Sequence, residues 1–315
     1  MILITGGAGF IGAQLAGRLI RTDPDIRIRV VDTLHRDALA LQPWAKDPRI
    51  EVIQGDIRDQ TVIDQAMDGV HSVVHAASIA GIFSVGRSAI NTMWTTLAGT
   101  YEVLQAATKH RVQRVVLLST SEVYGINALD AHESQVLSIP PPTDPRWSYA
   151  SSKLAAEQLA ASFMREKGLN LVTIRPFNIY GPGQIGEGAM NLFIQRALKE
   201  EPLLIHGDGL QIRAWCFIDD LIDGLIAALT RPEAVGHCFN IGNPQALISV
   251  RALAERIIDR THSSSTIQSV PALQAEVHQR SPDIGAAQQR LNFTPKVDLM
   301  DGLDLTIQWY RAQYA

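Results

Sequence analysis

The sequence predicts an α/β protein, a doubly wound parallel sheet with a smaller C-terminal lobe. Three observations carry that prediction. Short apolar runs alternate with longer helical patterns up to about residue 176, the rhythm of strand, crossover helix and parallel strand. The runs are apolar at consecutive positions, as in "VVHAA" and "RVVLLS". Strands buried on both faces read that way. A glycine-rich turn, "TGGAGFIG" at 5–12, joins the first run to the first helical pattern.

Taken in order, the strand candidates are 1–5, 28–32, 50–54, 72–75, 115–119 and 171–175, and the helical patterns between them fall at 10–22, 59–67, 88–109 and 148–167. After 176 the rhythm changes. "FNIYGPGQIGEG" is a glycine-rich loop, followed by a helix over 189–200, a short strand and turn in "PLLIHGDG", and a helix over 219–229. "FNIGNP" at 239–244 reads as a strand end and turn, and helices over 249–262 and from 302 complete the chain. The expected division is a first domain over 1–178 and a second lobe over 179–315, with 213–242 returning to the first.

Composition narrows the function class. The 315 residues are 46% hydrophobic and 19% charged, which fits a globular chain with a sizeable core. A net charge of −4 without a Lys/Arg cluster excludes an electrostatic footprint for nucleic acid. Cys216 and Cys238 make neither a disulfide framework nor a metal-ligand spacing, so no metal is expected and a reducing, cytoplasmic setting is. "MILITGGAGF" opens on a strand, without the charged and apolar regions of a signal peptide, and no run approaches 18 apolar residues.

The chemistry-bearing residues fall at the ends of the strands. Gly6, Gly9 and Gly12 lie between a strand and a helix. Gly6 permits a tight turn, Gly9 lets backbone approach a pyrophosphate, and Gly12 lets the helix pack closely, while the helix N-terminus offers free N–H groups to phosphate. Asp32 ends the second strand, where a carboxylate accepts both ribose hydroxyls of an adenosine and repels a 2′-phosphate, so NAD is favoured over NADP. Asp56 in "GDIRD" reads equally as an adenine contact or as a cap for the helix from 59. In "YASSK", Tyr149 and Lys153 are four apart on one helix face. An ammonium near a phenol favours the phenolate, and Thr120 at a strand end can bond the same substrate oxygen, which together suit proton removal from a hydroxyl during hydride transfer. His75, in "VVHAAS", reads as a packed residue rather than a base.

The set "TGGAGFIG", Asp32, "GDIRD", "HAAS", "STSEVYG" at 119–125, "YASSK", "RPFNIYGPG" at 175–183, "IRAWCFIDD" at 212–220 and "RSPDI" at 280–284 resembles, over essentially the whole chain, the extended short-chain dehydrogenase/reductases that act on nucleotide-diphosphate sugars. The resemblance implies a Rossmann-type domain with tightly held NAD and a C-terminal substrate-binding lobe. It implies cofactor contacts from Phe10 and Ile11, Asp56 and Ile57, Ala76 and Ala77, Tyr149 and Lys153, and Phe177 near the nicotinamide. It places Thr120, Asn178, Arg213 and Arg280 on the substrate side; charge alone also suits the two arginines to a diphosphate, or to surface ion pairs. Helices 88–109 and 148–167 would form a homodimer face.

Enzymes of this branch first oxidise a sugar hydroxyl, usually at C4. Dehydratases typically carry Asp-Glu after the threonine, and 4-epimerases small residues. Thr120-Ser121-Glu122 resembles the UDP-glucuronate decarboxylases, as do "PRWSYASSK" and Arg280 in "RSPD". The resemblance therefore implies catalytic roles for Ser121, Glu122 and Arg280, and an answer to why a glutamate ends a buried strand: it handles a proton at C5. A solvated or capping glutamate is the other reading, and a 4-epimerase, a 4,6-dehydratase and an NAD-binding sensor are the other functions. Two segments depart from the pattern. "IAGIFSVGRS" after "HAAS" lacks the usual prolines, and Thr96 stands where asparagine is common.

Overall fold

The computed structural model describes residues 1–126, 128–272 and 277–314. The first part of the chain runs β1 (Ile2–Thr5), α1 (Phe10–Thr22), β2 (Ile28–Asp32), β3 (Ile50–Gln54), α2 (Gln60–Ala66), β4 (Ser72–His75), α3 (Ile82–Arg87), α4 (Ala89–Lys109), β5 (Arg114–Leu118), a 3-10 turn at Ser121–Tyr124, β6 (Ala128–Ala131), α5 (Trp147–Lys167) and β7 (Leu171–Pro176). The later part runs β8 (Ile179–Tyr180), α6 (Ala189–Leu198), β9 (Leu203–His206), β10 (Ile212–Ala214), β11 (Cys216–Phe217), α7 (Ile218–Thr230), β12 (Cys238–Ile241), β13 (Leu247–Ser249), α8 (Val250–Thr261), β14 (Ile267–Val270), β15 (Gln279–Pro282), α9 (Gly285–Leu291) and α10 (Leu299–Tyr314).

Seven parallel strands form the central sheet in the order β12-β7-β5-β4-β1-β2-β3. Its consecutive apolar positions divide between two cores. Ile2, Ile4, Val30, Val74 and Val116 pack with Leu15, Leu19 and Leu221 of α1 and α7. Leu3, Val31, Val73, Val115 and Leu117 pack with Ile63, Val103, Leu104 and Phe163 of α2, α4 and α5. The side-chain period of two within each strand therefore serves both faces. From β1 the chain winds outward to β2 and β3, then returns to β4 on the other side. That reversal opens a crevice at the carboxyl ends of β1 and β4, where ligands bind in sheets of this kind.

Local signals set several helix ends. Asp59 caps α2, accepting from the backbone N–H groups of Thr61 and Val62, and Gly168 ends α5 in a left-handed conformation at φ 68°. The helix expected over 189–200 ends at Leu198, because Glu200 turns left-handed at φ 58°. A second, four-stranded sheet has the order β13-β10-β15-β6. Of its strands β6 comes before β7, β10 lies between β8 and β12, and β13 and β15 come after the chain has rejoined the first sheet through α7 and β12, with β12 beside β7; Arg213 and Ala214 stay in the smaller sheet on β10. β8, β10, β11 and β13 have two or three residues each, too few to show a period.

Candidate active site

The glycine turn after β1 is tightly built. Gly6 sits at φ 69°, and a Cβ there would lie 2.7 Å from the backbone of Ala77. A Cβ on Gly12 would lie 2.5 Å from Gly7 Cα, so the third glycine lets α1 close on the turn itself rather than on the strand. No side chain caps α1 at Gly9, and Phe10 and Ile11 of its first turn line the crevice. Asp32 is locked beside this turn. One carboxylate oxygen accepts from Ala8 N–H at 3.1 Å and the other from Leu34 N–H at 2.9 Å. Burial raises its pKa, against the pull of those backbone donors.

The other expected cofactor residues are placed unequally. Ala76 lines the crevice, and Ala77 supports Gly6. Asp56 does not cap α2, which Asp59 does; it grips Arg58 with both oxygens, and that guanidinium holds its carboxyl below the usual range. Ile57 is buried against Gly99 of α4. Phe177 is fully buried beside Tyr124, ring centroids 5.9 Å apart, and the crevice wall there is made by Pro176, Asn178 and Ile179. An uncapped helix terminus, a turn with no room for side chains and a fixed carboxylate fit a dinucleotide: free donors for its phosphates and an acceptor for its ribose.

The crevice continues into a cavity of about 310 Å³ lined by Thr120, Ser121, Glu122, Tyr149, Lys153, Asn178 and Arg280. Lys153 is buried on α5 and donates to the Leu118 carbonyl at 2.7 Å; burial lowers its pKa to about 8. The phenol of Tyr149 is pushed up, by burial first and by the Glu122 carboxylate second, while a hydrogen bond with Thr120 pulls it back. The direction is opposite to the lowering that a lysine neighbour suggests, because burial disfavours the phenolate more strongly. Thr120 also caps the 3-10 turn, accepting from Glu122 N–H.

Glu122 neither caps a helix nor stands in solvent. Its carboxylate lies 3.3 Å from Arg280 Nη1, with the glutamate side chain 24% and the arginine side chain 5% exposed. Arg280 Nε and Nη2 have no hydrogen-bond partner among the described residues. Arg213 is the register partner of Arg280 on the neighbouring strand, and its Nη1 donates to the Ile212 carbonyl. Asn178, at φ 40°, donates to the Ala214 carbonyl. His75 is buried between Thr5 and Thr100 and held neutral, its pKa lowered to about 3 by burial. No cluster of three metal-ligating side chains occurs among the described residues.

Ser78, Ser119 and Gln184 also line the cavity and were not singled out by sequence. Ser78 offered a signal, as the last residue of "HAAS"; it faces Thr96, whose hydroxyl donates to the Thr92 carbonyl, so Ser78 donates to Thr96 and keeps its lone pairs for the cavity.

Residues 2–242 match the NAD dependent epimerase/dehydratase family. The chain is 33% identical to a UDP-N-acetyl-alpha-D-glucosaminuronate decarboxylase of Bacillus cytotoxicus, covering 98% of this chain and 97% of that protein. It is 32% identical to a dTDP-glucose 4,6-dehydratase of Streptomyces niveus, covering 98% and 92%. Its fold matches UDP-glucuronic acid 4-epimerase from Bacillus cereus, solved with UDP-glucuronic acid and NAD, with a TM-score of 0.91 at 27% identity over 99% of both chains. The chain belongs to the NAD-dependent epimerase/dehydratase family of nucleotide-sugar enzymes.

Proposed function

We propose that the protein decarboxylates a UDP-linked uronate, UDP-glucuronate first, through transient oxidation at C4. The observation that carries this is the Glu122–Arg280 pair in the cavity that also holds Tyr149. A 4-epimerase needs no acid at residue 122, and a dehydratase needs an acid where Ser121 stands; a hydroxyl does not protonate a leaving group at neutral pH.

When bound, NAD supplies a two-electron acceptor for C4 of the sugar. Tyr149 takes the C4 hydroxyl proton as phenolate, a form that the Lys153 ammonium and the positive charge of bound NAD would favour against its burial, and Thr120 bonds the same oxygen. The C4 ketone is β to the C6 carboxylate, so the C5–C6 bond breaks with its electrons passing toward the C4 oxygen, and carbon dioxide leaves. Tyr149 and Thr120 then stabilise charge on that oxygen. Glu122, having taken up a proton from solvent, delivers it to C5, which makes the otherwise reversible loss of carbon dioxide irreversible. Arg280, with two guanidinium donors unused, binds the sugar or its carboxylate. Return of the two electrons to C4 gives UDP-xylose; earlier release gives a UDP-4-keto-pentose. Residues 1–178 with the returning segment hold the dinucleotide, and the rest of 179–315 holds the sugar nucleotide, with Asn178 and Arg213 toward the diphosphate.

The reading includes a homodimer, supported by Ile90, Trp94 and Tyr101, exposed along one face of α4. It includes a reducing cytoplasmic setting, supported by two unpaired cysteines. Incubation with UDP-glucuronate and mass analysis of the product tests the reaction. Loss of carbon dioxide is expected. An unchanged mass or a loss of water refutes the reading, and bound NAD that never changes redox state with any sugar nucleotide refutes an enzyme.

A further inference from the structure

A fully satisfied polar network lies behind the cavity, and the proposed chemistry uses none of its members directly. Tyr124, completely buried, donates to Asn240 Oδ1 at 2.7 Å and accepts from Arg175 Nη1 at 3.0 Å. Arg175 also holds Glu157 through two bonds, Nε to Oε1 at 2.9 Å and Nη2 to Oε2 at 2.6 Å. Asn240, also completely buried, donates from Nδ2 to the carbonyls of Ala131 and Asp283.

Tyr124, Glu157, Arg175 and Asn240 lie on the 3-10 turn, α5, β7 and β12, and the network reaches each segment that carries the chemistry. Glu157 is on α5, two turns on from Tyr149 and one from Lys153. Tyr124 closes the 3-10 turn that holds Ser121 and Glu122. Asp283 directly follows β15, which carries Arg280, and Ala131 ends the paired strand β6. Glu122 and Arg280 are 158 positions apart, and the backbone ties them through β6, which starts six residues after Glu122 and pairs Ala128 with Arg280. The side chains add a second tie: Tyr124 of the turn donates to Asn240 of β12, and Asn240 Nδ2 donates to the carbonyl of Asp283, three residues after Arg280. The Tyr124 hydroxyl donates on one side and accepts on the other, and the Asn240 amide is fixed through both its oxygen and its nitrogen, so the link favours one geometry.

We infer that Tyr124 and Asn240 are positioning residues that set the Glu122 carboxylate against Arg280 for the step after C4 oxidation. The inference rests on the decarboxylase reading. Tyr124→Phe removes one oxygen atom and leaves Tyr149, Lys153 and the dinucleotide turn in place. In single-turnover measurements on the NAD-loaded protein, reduction of bound NAD stays within about twofold, while carbon dioxide release falls by about tenfold or more, as small displacements of reacting groups cause. In a Glu122→Gln background the same change produces no further fall in carbon dioxide release, because the group it positions is already gone. Equal loss of both steps, or the same loss in both backgrounds, overturns the positioning role. Should Tyr124→Phe fold poorly, Asn240→Ser carries the test with the same two outcomes. If Glu122→Gln itself fails to separate the steps, the decarboxylase reading falls and the positioning role falls with it; if Glu122→Gln separates them and Tyr124→Phe does not, the positioning role falls alone.

Discussion

Replacing Glu122 by glutamine removes one charge and keeps the size of the side chain. Two unit charges 3.3 Å apart attract by about 5 kcal/mol at an effective dielectric of ~20. Glu122 is 24% exposed and glutamine still accepts a hydrogen bond, so the loss of stability should be nearer about 2 kcal/mol. The kinetic consequences differ between steps. Loss of the group that protonates C5 should slow carbon dioxide release by about 10²–10⁴-fold. Oxidation at C4 should survive, and its pH dependence has a definite sign. The Glu122 carboxylate holds the Tyr149 phenol up. Neutralising it favours the phenolate, so half-maximal NAD reduction moves to lower pH. Rapid-mixing absorbance follows bound NAD, and product mass follows carbon dioxide loss. Equal falls in both rates, or a pH profile that stays put or moves up, would refute the reasoning.

Tyr149→Phe should abolish reduction of bound NAD while sugar-nucleotide binding persists; continued reduction would assign proton removal to another group. Gly6→Ala places a side chain at φ 69° and 2.7 Å from Ala77 backbone, so it should lower stability by at least about 1–2 kcal/mol and reduce the NAD that copurifies, read by denaturant midpoint and absorbance. His75 stays neutral in the fold down to about pH 3 but protonates near 6.5 when unfolded. Between those values the unfolded chain binds more protons, so the stability His75 contributes is complete above 6.5 and is lost as pH falls toward 3. His75→Asn should flatten that acid limb in urea midpoints measured from pH 7 to 4; an unchanged slope would place the acid sensitivity elsewhere.

The first five strands and their helices were legible because their signals are local. Val115, Val116 and Leu117 read as a buried strand wherever they occur, and the strand predicted over 28–32 is β2 residue for residue. Tyr149 and Lys153 were legible for the same reason, since a separation of four means a shared helix face. The helix over Ile82–Arg87 and the small strands of the second lobe carry too few residues for a pattern, and they exist because a partner strand or a neighbouring loop completes them.

The site divides in the same way. Asp56 looked like a cap by position, and the choice of Asp59 instead depends on which carboxylate reaches Thr61 and Val62 N–H. Phe177 lies beside cavity residues in sequence, yet its ring goes into a core formed with Tyr124 and Trp147. The direction of the Tyr149 shift depends on burial, a property of packing.

By itself the sequence determined the parallel α/β sheet, the dinucleotide turn and the tyrosine–lysine pair, because strand period, helix period and glycine freedom act over a few residues. The tertiary structure alone decided that Glu122 meets a buried Arg280, and that Tyr124 and Asn240 bridge the segments carrying them. Contacts across such separations are set by how the sheet and the lobe pack, and short-range propensity carries no record of that.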